Sequence, residues 1–163
     1  MLAQNITFGI LAVVMGFSAI RVVTTKNVVH AALYLVLVLA GVAGIFILLA
    51  AEFLAIVQIL VYIGAIVVLF LFGIMLTRAP IGRSNELDNS QRGISAVVGL
   101  FLFGVLATIL FDGFGDDKLE GTQVGRTGDV GLSIFQTYVI PFEVISILLL
   151  AALVGAVVIA RRD

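Results

Sequence analysis

Between Glu52 and Arg78 the chain runs for 25 residues, Phe53 to Thr77, without one Asp, Glu, Lys or Arg. A helix that crosses a bilayer needs about 20 such apolar residues. In water a run of this length would have to be hidden on every side. Four more runs behave alike. They are Leu2–Ile20, Ala31–Ala51, Gly93–Phe111 and Tyr138–Ala160, and the third is read as Phe53–Leu76. The composition agrees: 62% of the 163 residues are hydrophobic and 12% charged, against roughly 25% charged in soluble domains. The runs are continuously apolar, whereas a barrel strand would alternate over about 10 residues. The expectation is an all-α membrane protein, a bundle of five transmembrane helices. With no long linker and no internal repeat, residues 1–163 read as a single transmembrane domain.

The first run could instead be a cleaved signal, but that would want a basic segment ahead of it. No charged residue occurs before Arg21. Loop charges suggest an orientation, because cytoplasmic loops collect Lys and Arg. Arg21, Lys26, Arg78, Arg83, Arg92, Arg161 and Arg162 fall on one side of a five-span chain, seven of the nine basic residues. Lys118 and Arg126 lie opposite, among Asp112, Asp116, Asp117, Glu120 and Asp129. The N-terminus is therefore expected outside and the C-terminus in the cytoplasm. Thr77–Arg92, with Pro80 and Gly82, reads as a cytoplasmic connector. Asp112–Ser133 reads as a solvated outer loop.

What is missing narrows the chemistry. There is no cysteine, so thiolate clusters, haem thioethers and disulfides are excluded. The only histidine, His30, stands just before the second span with no ligand partners at metal spacing. No phosphate-binding glycine loop precedes a helix. A net charge of −1 with no basic block argues against nucleic acid as a partner. No catalytic centre is expected in this chain.

A few polar groups lie within or beside apolar helix, where a charge costs about 2.5–3.5 kcal/mol on insertion scales. Glu52 is either a carboxylate favoured by a helix N-terminus or part of a proton path. Gln58 is either an interhelical hydrogen bond or part of the same path. Tyr62, four residues on, shares its face and lies too deep for an interfacial belt. Glu143 follows Pro141, and Pro suits the first helical position. That would put Glu143 third in its helix, at a helix start or at the outer end of a proton path. The pairs Ala12/Gly16, Ala40/Gly44 and Ala151/Gly155 permit close helix approach. Gly64 and Ala65 add a narrow patch to the third span. That span is long enough that tilt or an irregular turn is expected, and a π-bulge is one such irregularity.

The run from Ala51-Glu52-Phe53 through Gln58, Tyr62-Ile63-Gly64-Ala65 to Phe72 resembles the third helix of the J subunit of respiratory complex I, the mitochondrial ND-six type. Asn27-Val28-Val29-His30-Ala31-Ala32-Leu33-Tyr34 is similar too, as is Val130-Gly131, Phe135, Tyr138, Pro141-Phe142-Glu143 and Ser146 in order. Where many members carry Pro, this chain has Val28, so its second helix is expected to begin differently.

The resemblance implies a membrane-arm subunit of proton-translocating NADH:quinone oxidoreductase, in the cytoplasmic membrane of a bacterium. The implied partners are the quinone-site subunit, a small three-helix subunit bearing glutamates, antiporter-like subunits and lipid. NADH, FMN, iron–sulfur clusters and quinone would be held by other subunits. It also implies a π-bulge at Tyr62, Ile63, Gly64 and Ala65 whose straightening makes or breaks a water chain. Glu52, Gln58, Tyr62, Gly64 and Glu143 are then the coupling candidates. Two other classes fit a five-span chain: a subunit of a multisubunit Na+/H+ antiporter, and a structural scaffold.

Overall fold

In a computed structural model of the chain, residues 2–76, 91–115 and 126–161 are described. The elements are α1 (Leu2–Thr24), α2 (Val28–Leu48), α3 (Glu52–Val57), a π-helix (Gln58–Val67), α4 (Val68–Leu76), α5 (Arg92–Phe114), α6 (Thr127–Gln136) and α7 (Val139–Ala160). No strand occurs among them. Five helical stretches are long and apolar enough to cross a bilayer, with α3, the π-helix and α4 forming the third, Glu52–Leu76. This is an all-α, multi-pass membrane protein.

Helix ends differ from where the charges fall. α1 continues past Arg21 for another turn, and the Thr24 hydroxyl donates to the Ile20 carbonyl at 2.8 Å. α2 begins at Val28, three residues before the expected start. Asn27 causes this: its Oδ1 accepts from the Val29 N–H at 2.9 Å and the His30 N–H at 3.4 Å, the usual service of an N-cap asparagine. His30 therefore lies inside the first turn of α2 rather than ahead of it.

At the other end of α2 the Ala51 N–H reaches the Phe46 carbonyl at 2.9 Å and the Ala50 N–H reaches Ile47 at 3.0 Å. That pair of bonds is a Schellman motif, whose turning residue is usually glycine. Here it is Ala50, with φ 56°. A Cβ in the left-handed region costs about 1–2 kcal/mol. Part of that relief is returned as glycine's backbone entropy. Ala50→Gly should therefore stabilise by about 0.5–1 kcal/mol. A thermal series of assembled complex in detergent should show a higher midpoint; an unchanged or lower one would refute the strain.

The body of the chain is α1 against α2 and α2 against the third span. Lipid tails are as apolar as the helices, so close packing of small residues is what joins them. Most of the buried residues are accordingly small: Ser18 on α1, Ala32, Gly41 and Ala43 on α2, and Ala55 on α3, with Gln58 and Val67 of the π-helix the larger ones. Gly41 faces Met15, and a Cβ built at Gly44 would meet both Leu11 methyls at 3.2 Å. Of the three expected small-residue pairs, only Gly44 serves this crossing. Ala12, Ala40 and Ala151 are exposed, and a Cβ at Gly16 or Gly155 would meet nothing within 4 Å.

The later spans stand apart. Among the described residues α5 touches no other helix, and α7 touches only α6. The expected outer loop is partly helical: α6 occupies Thr127–Gln136 and packs on α3 and α7. Val130, Gly131, Ser133 and Ile134 are its half-buried positions, the spacing of one helical face. The Phe135 and Phe142 rings meet edge to face at 5.1 Å. Residues 77–90, with Pro80 and Gly82, and residues 116–125 lie outside the described residues.

Candidate functional site

The third span is one rod with a change of pitch. Val57 (φ −61°, ψ −42°) and Gln58 (φ −57°, ψ −43°) have ordinary helical dihedrals, and so does Val68 (φ −63°, ψ −46°). Between them the ten residues Gln58–Val67 form π turns, with hydrogen bonds to the fifth residue rather than the fourth. Tyr62, Ile63, Gly64 and Ala65 all lie within this stretch.

Burial along the rod shows what the pitch change does. Ala55, Gln58 and Val67 are buried, and Ile63, Leu71 and Ile74 are half-buried. The inner face thus advances from Gln58 to Ile63 in a step of five. An α-helix would have advanced by three or four and put Tyr62 on that face. The π turns place Ile63 there and move Tyr62 to the flank. Tyr62 is 46% exposed. With Leu35, Leu39, Ile66, Val67 and Phe70 it lines an otherwise apolar recess of about 310 Å³ between α2 and the third span.

Gln58 is 7% exposed. Its Nε2 donates to the Leu39 carbonyl on α2 at 3.5 Å, a long interhelical bond. A buried amide needs such a partner. The Tyr62 side chain lines the wall beside the same Leu39, yet its hydroxyl has no hydrogen-bond partner among the described residues. Gly64 is exposed. A Cβ there would meet only the Ile59 carbonyl oxygen, five residues back, at 3.4 Å. Its bare surface therefore faces out of this chain, not onto a neighbouring helix within it.

The two carboxylates lie at the helix ends near α6. Glu52 is the first residue of α3, where the helix dipole favours it. Glu143 sits deeper than the proline suggested. α7 starts at Val139, so Pro141 is its third residue and Glu143 its fifth. Proline is tolerated at the third position because the first four N–H groups have no intrahelical acceptor. At the fifth position Glu143 lies beyond the first turn, where the dipole effect has largely faded. Both glutamates are exposed within the single chain. Among the described residues no group of three or more His, Cys, Asp or Glu is placed to hold a metal.

Residues 18–159 match the model of a family described as NADH-ubiquinone/plastoquinone oxidoreductase chain 6. The chain belongs to this chain 6 family. It is 42% identical to the F(420)H(2) dehydrogenase subunit J of Methanosarcina mazei, over 98% of this chain and 92% of that one. It is 39% identical to a chloroplastic NAD(P)H-quinone oxidoreductase subunit 6 of Chlorokybus atmophyticus, over 93% and 79% respectively. A NAD(P)H-quinone oxidoreductase chain 6 of Synechocystis is 38% identical, over 98% and 82%. The chain 6 match takes in α2, the whole third span with its π turns, and α5 to α7 save one residue at its end.

The sequence marked Tyr62 to Ala65 only through resemblance. The π stretch begins earlier, at Gln58, and ends at Val67. The five-residue step from Gln58 to Ile63 was present in the sequence, but every residue from Ile59 to Val68 except Tyr62 is apolar or glycine, so no step stood out.

Proposed function

We propose that this chain is a coupling element of the membrane arm of a quinone oxidoreductase, carrying no catalytic centre itself. Electron transfer occurs in other subunits, and the third span converts it into a change in a proton path. The observation that supports this reading is the ten-residue π-helix Gln58–Val67 in the middle of a transmembrane rod. Packed elements with two discrete arrangements are how a small shift at one site reaches another. Straightening the π turns to α would rotate the downstream half and exchange Ile63 for Tyr62 on the face that carries Gln58. A polar hydroxyl would then stand on the inner face of the rod, and water could follow it. The related proteins carry different names for their donor, F(420)H(2) in one and NAD(P)H in others. The donor is accordingly chosen by another subunit. NADH or its counterpart, FMN, iron–sulfur clusters and quinone belong to those neighbours.

Glu52 on α3 and Glu143 on α7 stand on helices that both pack on α6, and they are the carboxylates assigned to this path. Glu143→Gln should lower proton pumping per assembled complex several-fold, with Glu143→Asp milder. Full pumping by the Gln variant would remove Glu143 from the path.

The basic loops favour an outside N-terminus, with the outer end holding Glu52 and Glu143 in a bacterial cytoplasmic membrane. A cysteine at Gly121 should then be labelled by an impermeant maleimide in intact cells, and one at Asn85 should not. The opposite pattern would invert the orientation.

A further inference from the structure

We propose that the α1–α2 hairpin end holds the phosphate of an anionic phospholipid, bound by Arg21. The Arg21 side chain crosses from the last turn of α1 to α2. Its guanidinium carbon lies 5.4 Å from the centre of the Tyr34 ring, and its Nε donates to the Tyr34 hydroxyl at 3.5 Å. A guanidinium held over a ring face is fixed in position. Nε is taken, while the two terminal nitrogens have no partner among the described residues. A planar pair of N–H donors of this kind matches phosphate oxygens.

The surroundings select a lipid. His30 stands one turn before Tyr34 on α2 and is exposed. Lys26 lies in the short connection between the helices, and no Asp or Glu occurs before Glu52. The two charged side chains of the hairpin, Arg21 and Lys26, are both basic, which suits an anionic headgroup. Directly towards the bilayer from the cation the surface turns apolar. Phe17, one turn below Arg21 on α1, is 62% exposed, and Leu37, one turn below Tyr34 on α2, is 48% exposed. A fixed cation at the end of a span with an exposed apolar wall beneath it fits an amphiphile: phosphate above, acyl chain below. The rival occupant is an apolar helix of a neighbouring subunit that carries a carboxylate, and counting both lipid and subunits separates the two.

The test uses the intact complex, stripped of loose lipid in detergent and titrated with dioleoyl phosphatidylglycerol or dioleoyl phosphatidylcholine. Bound lipid is counted by native mass spectrometry. The wild type should retain one more phosphatidylglycerol than Arg21→Gln, and the variant's affinity for that lipid should be about fivefold weaker. Arg21→Lys keeps the charge but loses the fork, and should fall between. Phosphatidylcholine binding should be the same in all three. Equal phosphatidylglycerol retention by wild type and Arg21→Gln would overturn the site. So would loss of a neighbouring subunit with lipid counts unchanged, since that outcome assigns Arg21 to a protein carboxylate. If Arg21→Gln does not assemble, the Lys variant decides: wild-type phosphatidylglycerol affinity there would also overturn the proposal.

Discussion

Gly64→Val should leave the complex assembled and lower quinone reduction and proton pumping together, by about tenfold. A two-state element works only if both states lie within a few kcal/mol, and about 1.4 kcal/mol of imbalance is a tenfold change in population. Valine supplies such an imbalance in two ways. Its β-branch restricts the side chain against the preceding turn, where the Ile59 carbonyl already stands 3.4 Å from the position of a Cβ. Its methyls also project from an exposed face, into whatever neighbour rotates past it. Gly64→Ala meets that carbonyl at ordinary van der Waals distance and should be much milder. Tyr62→Phe should act in the same direction, by up to about fivefold. One hydrogen bond is worth about 1 kcal/mol net, and its partner must come from water or another subunit. Both activities are measured in membranes, normalised to complex on a native gel. Unchanged rates for Gly64→Val would remove the switch; loss of the complex itself would leave a scaffold.

Gly41→Leu should do the opposite and remove the assembled complex. A single Cβ at Gly41 already collides with the Met15 side chain, whose sulfur would lie 2.7 Å away. A whole leucine must part α1 from α2, and overpacking of this kind costs about 1–3 kcal/mol. The crossing has little else to hold it, because its buried residues are small and lipid supplies no hydrophobic drive. Gly41→Ala should be partly tolerated if Met15 swings aside. Met15→Ala combined with Gly41→Ala should restore assembly towards wild type, since the space is exchanged between partners. Native-gel abundance and a thermal midpoint for each variant check this. An assembled, normally stable Gly41→Leu complex would mean that α1 and α2 do not meet here.

The number and order of spans were legible because lipid demands a long uncharged run, and Phe53–Thr77 could be little else. Their ends were not. Arg21 marks the first charge but not the end of α1, because a long side chain can leave the membrane while its backbone stays helical. Asn27 is a readable N-cap and moves α2 earlier. Ala50 hides the turn after α2, because alanine in place of glycine carries no turn signal. α6 was missed because its Gly and Asp residues suggested loop, although Val130 and Ile134 keep helical spacing. Gln58 was open between a hydrogen bond and a proton path, and its bond to Leu39 is now seen; a role in the path is still a proposal. The π-helix left no mark that a ten-residue stretch of almost wholly apolar side chains could display.

The proposed switch requires two backbone registers of Gln58–Val67 during turnover. The most direct measurement is the structure of the assembled complex, determined at rest and again while it turns over with donor and quinone. Five-residue hydrogen bonds should run through Gln58–Val67 in one population. In the other, four-residue bonds should take their place, with Tyr62 instead of Ile63 on the inner face that carries Gln58. The same π turns in every population, with Ile63 inward throughout, would contradict it.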